Sequence, residues 1–297
     1  MKELDFIKAI SQEIGDEFIG DDCAYIKDLG IVISQDSLVE NIHFRRDWYS
    51  SFQLGYKSAA VNISDILASG AMPAYMSIAL SLTNDIDDNF IKEFYRGAKS
   101  VSKNIKITGG DITGSKQGLM ISITAIGKTT GRNISSRKNA LPGYAIITKG
   151  MHGSSAAGLN ELLTGGNNKA LILSHISPVL EFDFSKEISE NVKEKYAMMD
   201  SSDGLADALF KIAEAGNVTA EIDYNSVPHL DCVTKEQVLY GGEDYKLVAC
   251  VPENALQKIN NYVKIGKIKE FDGSRVRIND FVINDYDSIK SFNHFSD

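Results

Sequence analysis

The stretch Ile31-Val-Ile-Ser-Gln-Asp36-Ser-Leu-Val-Glu-Asn-Ile-His43-Phe44 constrains the fold more than any other. It opens on β-branched apolar residues, the composition of a buried strand. Ser34, Gln35, Asp36 and Ser37 follow, so a hydroxyl and a carboxylate are expected where that strand emerges. One such carboxylate would carry little weight. Asp also stands beside Gly or Ser in Gly20-Asp21-Asp22, Gly109-Gly110-Asp111 and Asp200-Ser201-Ser202-Asp203-Gly204, and Asp65 closes Asn62-Ile63-Ser64. Element ends in α/β proteins are where functional groups gather over a rigid scaffold. The pattern predicts a fold that collects these carboxylates around magnesium ions holding a polyphosphate.

Around these stretches, short β-rich runs alternate with amphipathic segments, which predicts an α/β protein with strands and helices mixed in both halves. Apolar spacing predicts helices over 4–14, 54–69, 87–103, 186–195, 205–215 and 254–262. Strands are expected near 24–26, 31–33, 74–82, 105–108, 119–127, 144–148, 197–199 and 220–222, and again around Val276, Ile278, Phe281 and Ile283. Gly150–Gly158 opens a further helix through Leu163, and Leu239–Cys250 reads as a Gly-hinged turn into a strand. The polar run 129–139, closed by Leu141-Pro142-Gly143, predicts a boundary between domains of residues 1–138 and 139–297.

The net charge of −9, with no run of Lys and Arg, excludes a nucleic-acid-binding stripe. It also means that a polyphosphate can approach the Asp set only with divalent cations between them. Cys23, Cys232 and Cys250 are odd in number and form no C-x-x-C pair. That fits neither a disulfide framework nor a zinc site, and suits a reducing cytoplasm. The N-terminal apolar residues are interrupted by acidic ones, unlike a signal peptide, and no apolar run nears the roughly 20 residues of a membrane span. A soluble, cytoplasmic protein is expected.

Each motif also has a plain structural reading. Asp203 stands just before a helix and could serve as its N-cap. Glu243-Asp244 after a double Gly could be an exposed turn, and His43 a surface residue. Asp65 is harder to explain away, because a carboxylate beside Ile63, Ile66 and Leu67 needs a partner. Gly150–Gly158 lacks the Lys of a phosphate-binding loop, and Gly109–Lys116 has Ser and Lys in the wrong order for one. Neither a His-Arg-Asp loop nor a Gly-x-Ser-x-Gly elbow is present.

Taken in order, Gly20-Asp-Asp-Cys-Ala24, Asp36–Phe44, Lys57-Ser-Ala-Ala-Val-Asn-Ile-Ser-Asp65, Gly109-Gly-Asp111, Gly153–Gly158, Asp200-Ser-Ser-Asp-Gly-Leu205 and Gly241-Gly-Glu-Asp-Tyr245 resemble the motif series of the thiamine-monophosphate kinases. That family lies in the aminoimidazole ribonucleotide synthetase superfamily, and the resemblance runs over essentially the whole chain. It implies a two-domain fold of that type, a homodimer whose N-terminal sheets pair in a barrel, and ATP with several Mg²⁺ ions. The first domain would bind ATP and magnesium and dimerise. The activity implied is ATP-dependent phosphorylation of thiamine monophosphate to thiamine diphosphate.

By motif position, the resemblance makes Asp22, Ser34, Gln35, Asp36, Asp65, Asp111, Asp200 and Asp203 metal ligands. Tyr95, Gly110, Asp111, Arg137 and Ser202 would lie against ATP. His43, Glu243 and Phe292 would meet thiamine monophosphate. Gln35 departs from the family's usual Thr, Pro178-Val-Leu-Glu181 shortens a Pro-x-Pro-Arg pattern, and Ser291 replaces a Gly. Other superfamily chemistries, and a silent nucleotide-binding scaffold, are the alternative readings. No residue is implied as a covalent nucleophile, so direct in-line transfer is expected.

Overall fold

The computed structural model describes residues 3–290. Helix α1 (Glu3–Ile14) precedes a five-stranded sheet of β1 (Ala24–Ile26), β2 (Ile31–Val39), β3 (Met72–Leu82), β4 (Lys106–Gly114) and β5 (Met120–Lys128). Their order across the sheet is β1-β2-β5-β3-β4. Neighbours are antiparallel except β3 and β4, which run parallel across the connection through α3 (Asp88–Ser100). Period-2 alternation puts Val32, Leu38, Met76, Ile78, Leu80, Ile121 and Ile123 on one face, where they share a core with Leu54, Ile63 and Ile66 of α2 (Ser51–Ala68) and Phe94 of α3. The opposite face carries Gln35, Ser37, Ser122 and Thr124, and no helix of the described residues lies over it.

Helix α2 starts sharply because Ser50 and Gln53 form a reciprocal capping box. It buries residues around most of its circumference, including Lys57, Asn62 and Ser64. The reason is that α2 is a wall common to both halves. Ser185 Oγ donates to Leu67 O (2.6 Å), and Ser135 Oγ donates to Ala68 O (2.8 Å). The apolar core is correspondingly continuous from Ile63 and Ile66 to Ile147, Phe184, Ile188 and Met198.

The second sheet contains β6 (Ala145–Thr148), β7 (Ala197–Asp200), β8 (Val218–Ile222), β9 (Leu247–Val251), β10 (Val263–Glu270), β11 (Val276–Ile278) and β12 (Phe281–Ile283), in the order β12-β11-β8-β10-β6-β9-β7. Its helices are α4 (Ser154–Thr164), α5 (Lys169–Ile176), α6 (Phe182–Asn191), α7 (Leu205–Gly216) and α8 (Lys235–Tyr240). No helix among the described residues is long and apolar enough to cross a membrane.

Several expectations are corrected. The strand expected to end at Ile33 continues to Val39, because every residue of β2 finds a backbone partner on β5. Gly109–Asp111 likewise lie inside β4 rather than beyond it. The helix expected over 186–195 sits at Phe182–Asn191, held by buried Phe184 and Ile188 one turn apart. The segment expected as a helix over 254–262 is a 3₁₀ run, Glu253–Lys258, leading into β10. That strand is paired on both sides, by β6 and β8, yet a register shift between Lys264 and Gly266 breaks the alternation that would have revealed it. Helix α5 was not anticipated.

Candidate active site

Both sheets and α2 converge on a group of carboxylates. Asp22 comes from the loop before β1, Asp65 from the last turn of α2 and Asp200 from the last residue of β7. Carboxylate oxygens of these three lie within 4.8 Å of one another. Asp36 joins them from the helix-covered face of β2, with its backbone N–H donating to Asn62 Oδ1 of α2 (3.0 Å). Ser34, two residues earlier on the same face, donates its hydroxyl to Asp65. Ser64 does the same for Asp200. Serine hydroxyls thus orient two of the acids.

Gathering these acids costs free energy unless something neutralises them. Burial, followed by the charges of Asp36, Asp200 and Asp22, pushes the Asp65 carboxyl well above its ordinary range. Burial and then Asp22 raise Asp200 to about 7, although Ser64 and Ser202 pull it down. Asp36 is raised chiefly by burial. Arg137 is the cation in contact, donating from its guanidinium to Asp22 (2.9 Å) and from its backbone N–H to Asp21 (2.7 Å). A set of hard oxygen donors with too little positive charge is what Mg²⁺ requires.

Two cavities border this cluster. The first, about 560 Å³, is lined by His43, Trp48, Leu159, His175 and Glu243, among others. The second, about 820 Å³, is lined by Ile10, Phe18, Arg137, Lys211 and Tyr286, among others. Asp36, Asp65, Ser202 and Asp203 belong to both. Of the residues assigned to substrate, His43 and Glu243 line the first cavity; of those assigned to ATP, Arg137 lines the second and Ser202 both. Asp203 pairs with Lys211 (3.0 Å). It caps nothing: the residue before α7 is Gly204, with no side-chain bond there.

Other assigned residues are not brought to the cluster within one chain. In register, Ser37, Ser122, Ala79 and Asp111 form one row across β2, β5, β3 and β4, on the uncovered face. Asp36, Ile123, Ile78 and Gly110 form the adjacent row on the covered face. Asp111 is therefore three strand spacings, about 14 Å, from β2 and on the other side of the sheet from Asp36. Gln35 shares that uncovered face, accepting from Thr124 Oγ1 (3.1 Å) and donating to Ser122 Oγ (3.3 Å). Gly110 hugs β3 so closely that a Cβ would stand 1.6 Å from Ile78 O. Neither it, Asp111 nor Tyr95 lines either cavity. Phe292 lies outside the described residues.

The N-terminus of α4 is not an open anion site. Asp244 occupies it, accepting from the backbone N–H groups of Gly153 and Ser155. The double Gly that precedes has a tertiary cause as well, since a Cβ on Gly242 would fall 2.6 Å from Ser202 O. That approach ties the Glu243 loop to the Asp200–Asp203 loop. Lys57, Tyr49 and His175 surround Glu243 and had received no role from the sequence. For Lys57 the signal was there to be used: it stands three residues after Leu54 and eight before Asp65, on the buried side of α2.

Comparison with known proteins agrees with this architecture. Family models match the AIR synthase related protein N-terminal domain over residues 20–129 and the corresponding C-terminal domain over residues 148–278. The thiamine-monophosphate kinase of Bacillus subtilis (strain 168) is 31% identical over 329 aligned positions, covering 99% of this chain and 100% of that protein. That of Haemophilus influenzae is 33% identical over 91% and 90%. Among solved structures, AaThiL complexed with AMPPCP and TMP superposes with a TM-score of 0.88 at 28% identity, covering 99% of this chain and 97% of that one. The HypE–HypF complex, at 18% identity and a TM-score of 0.73, shares the fold. With both domain models matched and relatives aligned end to end, the chain belongs to the thiamine-monophosphate kinase family of AIR synthase-related proteins.

Proposed function

We propose that this protein transfers the γ-phosphoryl group of ATP to thiamine monophosphate, forming thiamine diphosphate and ADP. The observation that carries the reading is the pair of cavities meeting at a single carboxylate cluster, with substrate-assigned and ATP-assigned residues divided between them. Two polyanions can then approach the same acids from separate cavities. Asp22, Asp36, Asp65, Asp200 and Asp203 would hold Mg²⁺, with Ser34 beside them. Bound there, the ions would screen the repulsion between the two phosphates.

The remaining steps fall to the chain's own groups. The Val39 backbone N–H donates to His43 Nδ1 (3.0 Å), so in the neutral ring the proton sits on Nε2. That N–H can donate to the acceptor phosphate. Arg137 Nε is buried without a hydrogen-bond partner and serves a donor phosphate oxygen in the second cavity. Transfer is direct: an ionised oxygen of thiamine monophosphate bonds to the γ-phosphorus as the bond to the ADP oxygen breaks. No strong base is needed, and the buried rings of His152 and His175 are held neutral, at about 3 and about 4, mainly by burial. The test is incubation with Mg²⁺ and ATP chiral at the γ-phosphorus. Thiamine diphosphate with inverted configuration is expected; absence of that product overturns the activity, and net retention overturns the in-line route.

The uncovered sheet face leads to a second part of the proposal. Strand β4 is a sheet edge, and Tyr95, Gly110 and Asp111 stand apart from both cavities. We infer a homodimer in which the uncovered faces meet as a barrel and Asp111 of one copy serves the site of the other. Mixing and re-equilibrating inactive Asp36→Asn and Asp111→Asn proteins should then restore up to about a quarter of wild-type activity, because half of the dimers are mixed and each has one intact site. Mixtures that stay inactive despite subunit exchange would show that Asp111 does not act across an interface.

A further inference from the structure

Beneath the first cavity lies a buried cation that the reaction as described does not use. Lys57 of α2 has a fully buried side chain, and its Nζ donates to Tyr49 Oη (3.0 Å) and to Glu243 Oε2 (3.2 Å). An ammonium taken out of water is costly unless it is paired and hydrogen-bonded. Glu243 is 28% exposed on the cavity side, so the pair joins a hidden charge to a presented one. We propose that Lys57 is a positioning residue: it holds the Glu243 carboxylate in place to accept from the N–H donors of an aminopyrimidine, and so sets the preference for thiamine monophosphate. The inference rests on the acceptor site proposed above.

Glu243 is anchored at both ends. Its backbone N–H donates to Ser202 O (2.6 Å), and its φ of 64° is left-handed, as is that of Tyr245 at 52°. For residues other than Gly, such conformations cost on the order of 1 kcal/mol and persist where the surroundings impose them. At the other end, Lys57 and His175 Nδ1 (3.4 Å) both approach Oε2, which leaves Oε1 for a ligand. His175 Nδ1 is also within 3.1 Å of Ser155 Oγ. Burial and Lys57 keep that ring neutral, so the ammonium supplies the positive charge. Burial works against ionisation of Glu243, but the Lys57 ammonium outweighs it and holds the carboxyl below its usual range.

The test is a double-mutant cycle read by titration calorimetry, with thiamine monophosphate and Mg-ATP titrated separately into wild type, Lys57→Met, Glu243→Gln and the double variant. Lys57→Met should weaken thiamine monophosphate binding about tenfold or more, leave Mg-ATP within about twofold, and add less than about twofold on the Glu243→Gln background. Equal losses for both ligands, an unchanged affinity for thiamine monophosphate, or full additivity would overturn the role. If Lys57→Met does not fold, Tyr49→Phe decides: a selective loss of about threefold or more supports the proposal, and an unchanged affinity overturns it. Wild-type protein that binds Mg-ATP but no thiamine monophosphate would overturn the functional reading as well. Wild-type binding with a silent Lys57→Met overturns this inference alone.

Discussion

Replacing Asp36 by Asn is expected to lower turnover by about 10²–10³-fold while leaving the metal-free protein as stable as wild type or more so. The two effects have separate causes. Asp36 reaches the Asn62 side chain through its backbone N–H, which the substitution does not touch. Its carboxylate sits among Asp22, Asp65 and Asp203, whose charges oppose its ionisation or are opposed by it. Removing one charge relieves that repulsion and also removes a ligand for the cations that two phosphates need. A residue needed only for structure would lose stability together with activity. Asp87→Asn is the control: Asp87 caps α3 by accepting from the Phe90 N–H (2.7 Å), and Asn caps helices nearly as well. Turnover and melting temperature of both variants decide the matter. Comparable activity in the two would remove Asp36 from the site.

Stability of the metal-free protein should fall as pH rises from about 4 to about 7, and Mg²⁺ should reverse the fall. Asp200 carries a clear part of the expectation, with its carboxyl raised from 3.8 to about 7 by burial and by Asp22. A carboxyl raised in the folded state binds its proton more tightly there than in the unfolded chain. Its contribution is therefore fully present below the unfolded value and is lost as pH climbs through the folded one. Asp36 and Asp65 act with the same sign, as do Glu181 at about 7 and Asp244 at about 6, both raised mainly by burial. Glu243 acts with the opposite sign. Each tenfold change in proton affinity is worth about 1.4 kcal/mol, so the cluster shifts the melting temperature by several degrees. Thermal melts at pH 5 and pH 7.5, with chelator and with Mg²⁺, measure this. The Mg²⁺ shift should be larger at pH 7.5, and Asp200→Asn should flatten the profile. A chelated protein that gains stability between pH 5 and 7.5, or an equal Mg²⁺ shift at both, would contradict a cation site in these acids.

Much of the chain was legible as sequence because the information is local. Helix α7 is announced by its apolar spacing, and β3 by an apolar run after Pro73. Asp65, placed among Ile63, Ile66 and Leu67, declared a buried acid that needed a partner. The order of the motifs pointed to the family. These readings need only the periods of helix and strand and the cost of an unpaired charge.

What the tertiary structure alone decided concerns pairing and faces. Strand β2 outruns its apolar start because strand length is set by backbone partners on β5, and those exist as far as Val39 whatever the side chains. Gln35 and Asp36 are adjacent in sequence yet serve opposite faces, since successive side chains alternate and only one face is covered by α2. Asp111 falls on the uncovered face for the same reason. Asp22, Asp65 and Asp200 meet because α2 is packed between two sheets, a convergence that no local pattern encodes. Lys57 and Glu243, 186 residues apart, find each other in the same way. Sequence marks which residues are out of keeping with their neighbours; long-range packing decides which of them share a site.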